Sequence, residues 1–305
     1  MIYIAFLFLL SVILFFNNPA ISLLIGIIFS FLFKPTNEFI THKLKTIPLQ
    51  IGIVILGLTI NLSLLSNISL SYLPWISVFV VSTFLVGVLL GKLFGIDKKI
   101  TYLISAGSAI CGASAMIVIA PIIQAKPKGL LMCLTIIFLL NALAIFIFPN
   151  VAQYLELSHK QFGIFSALSI HDTGSVIGAS ILYSDESAQI AATLKLGRTV
   201  WIIPLLILLN FMYKDSKSSV ITKFPIFIIF FITAVFINSI FNFGDQQIDL
   251  FKYISLLMIN VGLFCIGTQA IDLNLLNIKV GRVLLMSILL WIIVIVGSWF
   301  FISYL

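Results

Sequence analysis

The chain has 305 residues, of which 61% are hydrophobic and only 9% are charged, and its mean hydropathy is +1.24. Soluble domains carry about 25% charged residues, so this composition excludes a water-soluble fold and predicts an all-α polytopic membrane protein. The net charge of +7 does not indicate nucleic-acid binding, because most basic residues fall in the loops between apolar segments.

Eleven apolar segments are predicted to cross the bilayer as helices. They are centred on residues 2–16, 19–33, 47–64, 72–93, 100–123, 129–149, 161–184, 188–211, 224–241, 250–272 and 280–303. The first lacks the basic start and small-residue cleavage site of a secretory signal, so we expect it to be retained as a helix.

The basic residues of the loops divide unequally between the two sides of the membrane. The loops on one side contain Lys34, Lys43, Lys45, Lys92, Lys98, Lys99, Lys160, Lys214, Lys217, Lys223, Lys279 and Arg282. The opposite loops contain only Lys126, Lys128 and Lys252. Because positive charge collects in cytoplasmic loops, this pattern predicts a cytoplasmic N-terminus and an external C-terminus.

The predicted spans form a single transmembrane domain over residues 1–305, because no linker is long enough to mark a boundary. Residues 1–18 form an extra first helix, which could serve a homodimer interface. The other ten spans divide into a first five-helix repeat, 19–150, and an inverted second repeat, 160–304.

Two matching segments, one in each half, carry small residues that can interrupt a helix. The first is Ser105-Ala-Gly-Ser-Ala-Ile-Cys-Gly-Ala-Ser-Ala115, and the second is Phe264-Cys-Ile-Gly-Thr-Gln-Ala270. Such residues favour either broken helices, whose half-helix N-termini attract an anion, or close packing between unbroken helices. The equivalent placement keeps both interpretations open.

Lys195 and Arg198 lie deep inside the predicted span 188–211, away from its ends. With a rise of about 1.5 Å per residue, they lie roughly 12 and 16 Å along a helix that starts near Ser187. A charge near the bilayer midplane costs about 2.5–3.5 kcal/mol or more, so a buried cation usually marks a functional site. Their spacing of three places both on one helix face, where they could bind one anion.

His171 and Asp172 are adjacent in the middle of the seventh span. Asp172 is the expected ionic partner of Lys195 or Arg198, and the pair could be a structural ion pair. Alternatively, His171 and Asp172 couple transport to a proton or sodium ion, because intramembrane carboxylates and histidines commonly carry protons.

Further substrate ligands are expected at the two interruptions. The candidates are Ser108, Cys111, Gly112 and Ser114 at the first, and Gly267 and Gln269 at the second. No cofactor or metal is expected, because the cysteines and histidines lack ligand spacing. An enzyme is not expected, since the sequence lacks a Gly-x-Ser-x-Gly elbow, a P-loop and His-Glu-x-x-His.

The segment Ile104–Ala115, followed by Pro121, resembles the signature of the sulfate exporter family of bacterial inner-membrane proteins. Ser169–Val176, Leu194–Arg198 and Gly281–Met286 resemble the same family in the same order. The resemblance covers roughly residues 20 to 303. It implies a bacterial cytoplasmic-membrane location and a fold related to cation/proton antiporters and bile-acid symporters, in which two broken helices cross.

The sequence therefore predicts a secondary active transporter of a small anion, either sulfate-like or organic, that is coupled to protons or sodium. Arg198 would contact the anion with its planar fork, and Lys195 would supply a second charge. In the alternative, the protein is a carrier like the cation/proton antiporters. Lys195 and Arg198 are then fixed surrogates for bound cations, paired with Asp172, and the substrate is uncharged or organic. A channel or a membrane scaffold remains the third alternative.

Overall fold

The computed structural model describes residues 2–35, 39–44, 47–60, 62–213, 226–268 and 278–304. Within these ranges the chain is all-α, as predicted. The helices are α1 (Ile2–Phe16), α2 (Pro19–Phe33), α3 (Ile40–Leu44), α4 (Ile47–Gly57), α5 (Leu62–Leu93), α6 (Lys98–Ala109), α7 (Ala113–Ile122), α8 (Pro127–Tyr154), α9 (His159–Ser169), α10 (Thr173–Tyr183), α11 (Asp185–Thr199), α12 (Ile202–Met212), α13 (Ile226–Phe241), α14 (Asp245–Gly267) and α15 (Ile278–Ser303).

The apolar helices coincide with the predicted spans. In the described ranges five helical stretches are long and apolar enough to cross a membrane, and six shorter helices are also apolar. Each of the eleven predicted spans contains one of them. Large apolar side chains point outward, including Phe8 (66% exposed), Val78 (65%) and Phe211 (74%). An outer surface of this kind is stable only in lipid, which confirms the polytopic membrane fold.

The first predicted interruption is confirmed, since α6 ends at Ala109 and α7 starts at Ala113. Gly112 adopts φ 59° and ψ −122°, a conformation that strains any residue with a side chain. The glycine therefore lets the chain leave one helix and start another within three residues.

A second interruption lies in the seventh span, which was expected to be continuous. Helix α9 ends at Ser169 and α10 starts at Thr173, with Asp172 in an extended conformation as the N-cap of α10. The two interruptions meet, because a Cβ built on Gly112 would lie 3.2 Å from the Cα of Asp172. Four half-helix ends therefore converge at one point inside the bundle.

The second small-residue segment, Phe264–Ala270, is helical up to Gly267, where α14 ends, and Gln269 and Ala270 lie outside the described residues. An interruption there stays a prediction, and the small residues of the described part pack against a neighbouring helix. A Cβ on Gly267 would lie 2.6 Å from the Leu23 carbonyl oxygen of α2, and one on Gly52 would lie 2.9 Å from the Ser255 carbonyl oxygen of α14. Helix α14 thus packs backbone to backbone against α2 and α4. The division into two inverted repeats stays a prediction.

A third, milder interruption separates α11 from α12 at Val200 and Trp201. Pro204 follows in the first turn of α12, and it has no N–H to bond the carbonyl of Val200. Lys195 and Arg198 thus occupy the last two turns of α11, beside the point where α6, α7, α9 and α10 meet.

Substituting Gly26 of α2 with leucine should destabilise the protein, because its missing Cβ leaves room only for the backbone of α14 at Gly267. Overpacking of a tight interface costs about 1–3 kcal/mol or more. The measurement is thermal unfolding in detergent, followed by loss of the monodisperse peak in size-exclusion chromatography.

The matched control is Gly281→Leu, since no atom of the described residues lies within 4 Å of a Cβ at that exposed position. Equal thermal stability of Gly26→Leu and Gly281→Leu would contradict the close packing of α2 on α14.

Candidate functional site

Arg198 joins the ends of the two interrupted helices. Its Nε donates to the Ala109 carbonyl at 2.6 Å, and its Nη2 donates to the carbonyl of Ser108. Its Nη1 donates to the carbonyls of Ala167 at 3.0 Å and Leu168 at 2.7 Å. The first two carbonyls end α6 and the last two lie in the final turn of α9. One guanidinium therefore caps two helix C-termini.

Lys195 completes the cap of α9. Its Nζ donates to the carbonyl of Ile170, the C-cap residue, at 2.7 Å. The indole Nε1 of Trp291 on α15 donates to the Ser169 carbonyl at 3.0 Å. Every one of these carbonyls would otherwise face a protein interior without water, at a cost of about 1–3 kcal/mol each.

The two cations are fully buried, with 0% of Lys195 and 1% of Arg198 exposed. The negative ends of the α6 and α9 dipoles compensate their charge. The Phe79 ring of α5 adds a cation–π contact, with its centroid 5.5 Å from the guanidinium carbon of Arg198. Both predicted cations thus lie at the structural centre of the bundle.

The Asp172 carboxylate hydrogen-bonds to the N-terminus of α10 and not to the cations. Its Oδ2 accepts bonds from the Ser175 N–H at 3.2 Å and the Ser175 hydroxyl at 3.3 Å. Across the described ranges, salt bridges of 4.0 Å or less join only Lys252 to Asp185 and Asp249. Asp172 therefore forms no direct salt bridge with Lys195 or Arg198 in these ranges, although Lys195 lies close enough to interact with it electrostatically. A carboxylate is stabilised at the positive N-terminus of α10, so it does not need one.

His171 contacts α8 through a single side chain. Both its backbone N–H and its Nδ1 lie within hydrogen-bond distance of the Asn141 Oδ1 atom, at 3.2 and 3.1 Å. The Nε2 atom of His171 has no hydrogen-bond partner within the described residues. The imidazole is 1% exposed and lies beside the Trp291 ring, with centroids 6.2 Å apart.

The predicted residues of the first interruption lie together at this centre. Gly112 contacts Asp172, and Cys111 lies within electrostatic range of Lys195, Asp172 and Arg198. The hydroxyl of Ser108 is buried and unpartnered among the described residues. Ser114 is half-buried in the first turn of α7. The N-cap residue of α7, Gly112, makes no side-chain cap, and the Ala115 N–H bonds the Cys111 sulfur. The N–H groups of Ala113 and Ser114 are therefore the ones that an anion could bind at this helix end.

The predicted residues of the second segment do not join this centre. Gly267 packs against Leu23 and Gly26 of α2, and Gln269 lies outside the described residues. Two residues that were not predicted as site residues also belong to this centre, Asn141 and Trp291. Each is a polar side chain within an apolar helix, which is the signal that could have identified it.

An apolar cavity of about 290 Å³ lies between α5 and α12 and reaches the first interruption. Ala109 and Ile110 form its inner wall, and Leu85 and Leu208 line it at the outer surface. The cavity therefore brings the first interruption close to the outer surface of the bundle. Ala109, whose carbonyl accepts a hydrogen bond from Arg198, lies at its inner wall.

The comparisons identify a family without a stated activity. A family model described as "Conserved hypothetical protein 698" matches residues 3–296. The chain is 34% identical to a UPF0324 membrane protein of Bacteroides thetaiotaomicron over 279 residues, which cover 91% of the chain and 84% of that relative. It is 36% identical to a UPF0324 membrane protein of Porphyromonas gingivalis over 291 residues, covering 93% and 87%. No solved structure matches the chain.

Replacing Arg198 with methionine should cost at least about 3 kcal/mol of stability, because four carbonyls lose their donor and each unsatisfied buried group costs about 1–3 kcal/mol. Arg198→Lys should recover only part of the loss, since one ammonium cannot reach both helix ends as a planar fork does. Thermal unfolding in detergent measures both effects. Arg282→Met, at an exposed position, is the matched control, and an Arg198→Met protein as stable as this control would refute the capping role.

Proposed function

The chain belongs to the family described as conserved hypothetical protein 698, and we propose that it is a secondary active transporter of a small anion that works by alternating access. The observation that carries the proposal is the meeting of two interrupted helices around buried charges, with Gly112 against Asp172. Transporters use broken helices near the bilayer midplane because free backbone groups there bind ions and substrates.

The anion site comprises Lys195 and the N-terminus of α7. An ammonium has three donors, and Lys195 uses one of them on the Ile170 carbonyl. The first N–H groups of α7, with the Ser114 hydroxyl in the same turn, supply uncharged donors. Two of the three protein charges at the centre are positive, so a sulfate-like or organic anion would neutralise the excess.

Arg198 has a different role from the one expected of it. Four hydrogen bonds to carbonyls occupy its fork, and only one of its five donors remains. It therefore acts as a fixed charge that holds the interrupted helices together, whereas Lys195 contacts the substrate.

Asp172 and His171 couple the anion to an ion, which is a proton in this proposal. The carboxylate of Asp172 lies beside Gly112, the N-cap of α7, so its negative charge opposes an anion at that helix end. Protonation of Asp172 removes this repulsion. His171, the next residue along the chain, provides a second group that can bind and release a proton.

The remaining features of the proposal follow the loop charges and the family resemblance. The protein lies in the bacterial cytoplasmic membrane, with its N-terminus inside and its C-terminus outside. It exports its substrate, requires no cofactor and catalyses no reaction. Its partners are the anion, the coupling ion and the lipid bilayer, and helix α1 is the candidate homodimer interface.

A second candidate function is favoured by the bonding of Arg198. A guanidinium that fills two helix C-termini occupies the place that a bound cation would take. In that case Lys195 and Arg198 are permanent cation surrogates, Asp172 balances them, and the substrate is a neutral organic molecule.

Counterflow of labelled sulfate into proteoliposomes should be measurable for the wild-type protein and should fall at least tenfold in Lys195→Gln. The reason is that the glutamine keeps a donor for the Ile170 carbonyl but removes the charge that attracts the anion. Arg282→Gln is the matched control and should retain wild-type counterflow.

The outcome also separates the two candidate functions. If the protein transports a neutral solute and this transport requires sodium only in Lys195→Gln, the surrogate function is supported and the proposed anion site is overturned. Unchanged sulfate counterflow in Lys195→Gln would likewise exclude Lys195 as the ligand.

Asp172→Asn should lower the sulfate concentration for half-maximal uptake by about tenfold, which equals about 1.4 kcal/mol. The asparagine can still cap α10 through its side-chain oxygen but no longer repels an anion at α7. The effect of external pH on this concentration should decrease as well. Asp245→Asn, at an exposed helix start, is the control, and weaker sulfate binding in Asp172→Asn would show that the carboxylate does not compete with the anion.

A further inference from the structure

The orientation of the Asn141 amide is fixed by the chain itself. The backbone N–H of His171 can only donate, and it lies 3.2 Å from the terminal atom of Asn141 assigned as Oδ1. An amide nitrogen cannot accept a hydrogen bond, so this atom must be the oxygen. The usual ambiguity between the oxygen and nitrogen of a side-chain amide is thereby removed.

This orientation also determines where the neutral imidazole carries its proton. The same Asn141 oxygen lies 3.1 Å from His171 Nδ1. Because that oxygen is only an acceptor, Nδ1 must be the donor and hold the proton. Nε2 is then the unprotonated nitrogen, with a lone pair that no group in the described residues satisfies. An unpartnered base this deeply buried is unusual in a folded protein.

The charged groups around His171 leave Nε2 free. Asp172 follows it in the chain and is bound to Ser175. Lys195 and Arg198 of α11 act on it electrostatically but are held by carbonyls. The titratable Cys111 lies in the link between α6 and α7, whereas α8 and α15 contribute the uncharged side chains that contact the ring.

We propose that Asn141 is a positioning residue that holds His171 in its Nδ1–H form, so that Nε2 is the atom that takes up and releases the coupling proton. The inference rests on the proposed proton-coupled transport. When Nε2 binds a proton, the imidazole becomes an imidazolium, and Nδ1 keeps its hydrogen bond to Asn141. When the proton leaves Nε2, the original neutral form returns. The ring therefore gains and loses one proton at one atom without turning.

A purely structural role for Asn141 makes different predictions. If the amide only satisfies the His171 backbone N–H at the start of the α9–α10 interruption, the form of the imidazole is immaterial. Any acceptor of the same shape would then leave the pH dependence of transport unchanged. Two measurements distinguish these roles, and the first does not depend on transport.

The first measurement is nitrogen NMR of the full-length protein in lipid bilayers, with ¹⁵N-labelled histidine. The chain has three histidines, and His42→Gln with His159→Gln leaves His171 as the single signal. Above neutral pH, the spectrum should show a protonated Nδ1 and an unprotonated Nε2. In Asn141→Leu the opposite form, or a mixture, should appear. A protonated Nε2 in the protein that retains Asn141 would overturn the proposal.

The second measurement is the pH profile of sulfate counterflow for Asn141→Asp. An aspartate has the same shape as asparagine, can still accept from the His171 backbone N–H, and places a negative charge 3.1 Å from Nδ1. The imidazolium becomes more stable, so the midpoint of the pH profile should move at least about one unit toward higher pH. A lower rate of sulfate counterflow with an unchanged pH midpoint would mean that Asn141 has a structural role only.

The two measurements separate failure of this inference from failure of the proposed function. Absence of sulfate flux in the wild-type protein at every pH would reject sulfate transport, and the NMR spectrum would still decide the form of His171. Sulfate flux whose pH midpoint is the same in Asn141→Asp as in the wild-type protein would reject the positioning role alone. His171→Gln should leave only the pH dependence that Asp172 causes, and persistence of the same midpoint in that variant would also overturn the proposal.

Discussion

The capping of two helix C-termini by Arg198 is the interaction on which the rest of the site depends. Ending α6 and α9 inside the membrane leaves carbonyls that neither water nor a continuing helix can satisfy. Arg198 bonds Ser108 and Ala109 on one side and Ala167 and Leu168 on the other. Because one rigid fork reaches both ends, it also fixes their separation. Arg198 therefore stabilises the junction of Gly112 with Asp172.

The charges at this junction are matched to helix ends and not to one another. Lys195 and Arg198 lie at the negative ends of α6 and α9, and Asp172 caps the positive end of α10. A direct ion pair would gain Coulomb energy but would lose these carbonyl and amide contacts, which also need partners. Matching to dipoles satisfies both groups. It also leaves the Asp172 carboxylate near the first interruption, where, in the proposed transport, its negative charge repels an incoming anion.

Much of the fold can be predicted from composition, whereas the interruption between α9 and α10 cannot. Eleven apolar segments identify the spans, and a run of small residues around Gly112 identifies the first interruption. The run ending at Gly267 has the same composition but packs on Gly26. Small residues permit either outcome, and the choice depends on a neighbouring helix. The interruption at Ile170 to Asp172 carries no glycine, and its cause lies in donors from other helices, Arg198, Lys195 and Asn141. The sequence cannot show which backbone groups these side chains bond, because every residue carries a backbone carbonyl.

Lys195 and Arg198 lie one turn apart in the same surroundings, yet their chemistry assigns them different work. The planar guanidinium presents five donors in a fixed arrangement, and four fixed carbonyls match it. Such a group has one donor left and cannot exchange partners without breaking the junction. The ammonium is a point charge on a flexible stem, and one carbonyl leaves two of its donors unused. A transport site needs one charge that stays and one that can change partners. In the proposed transporter the arginine therefore belongs to the framework, and the lysine is the group that contacts the substrate.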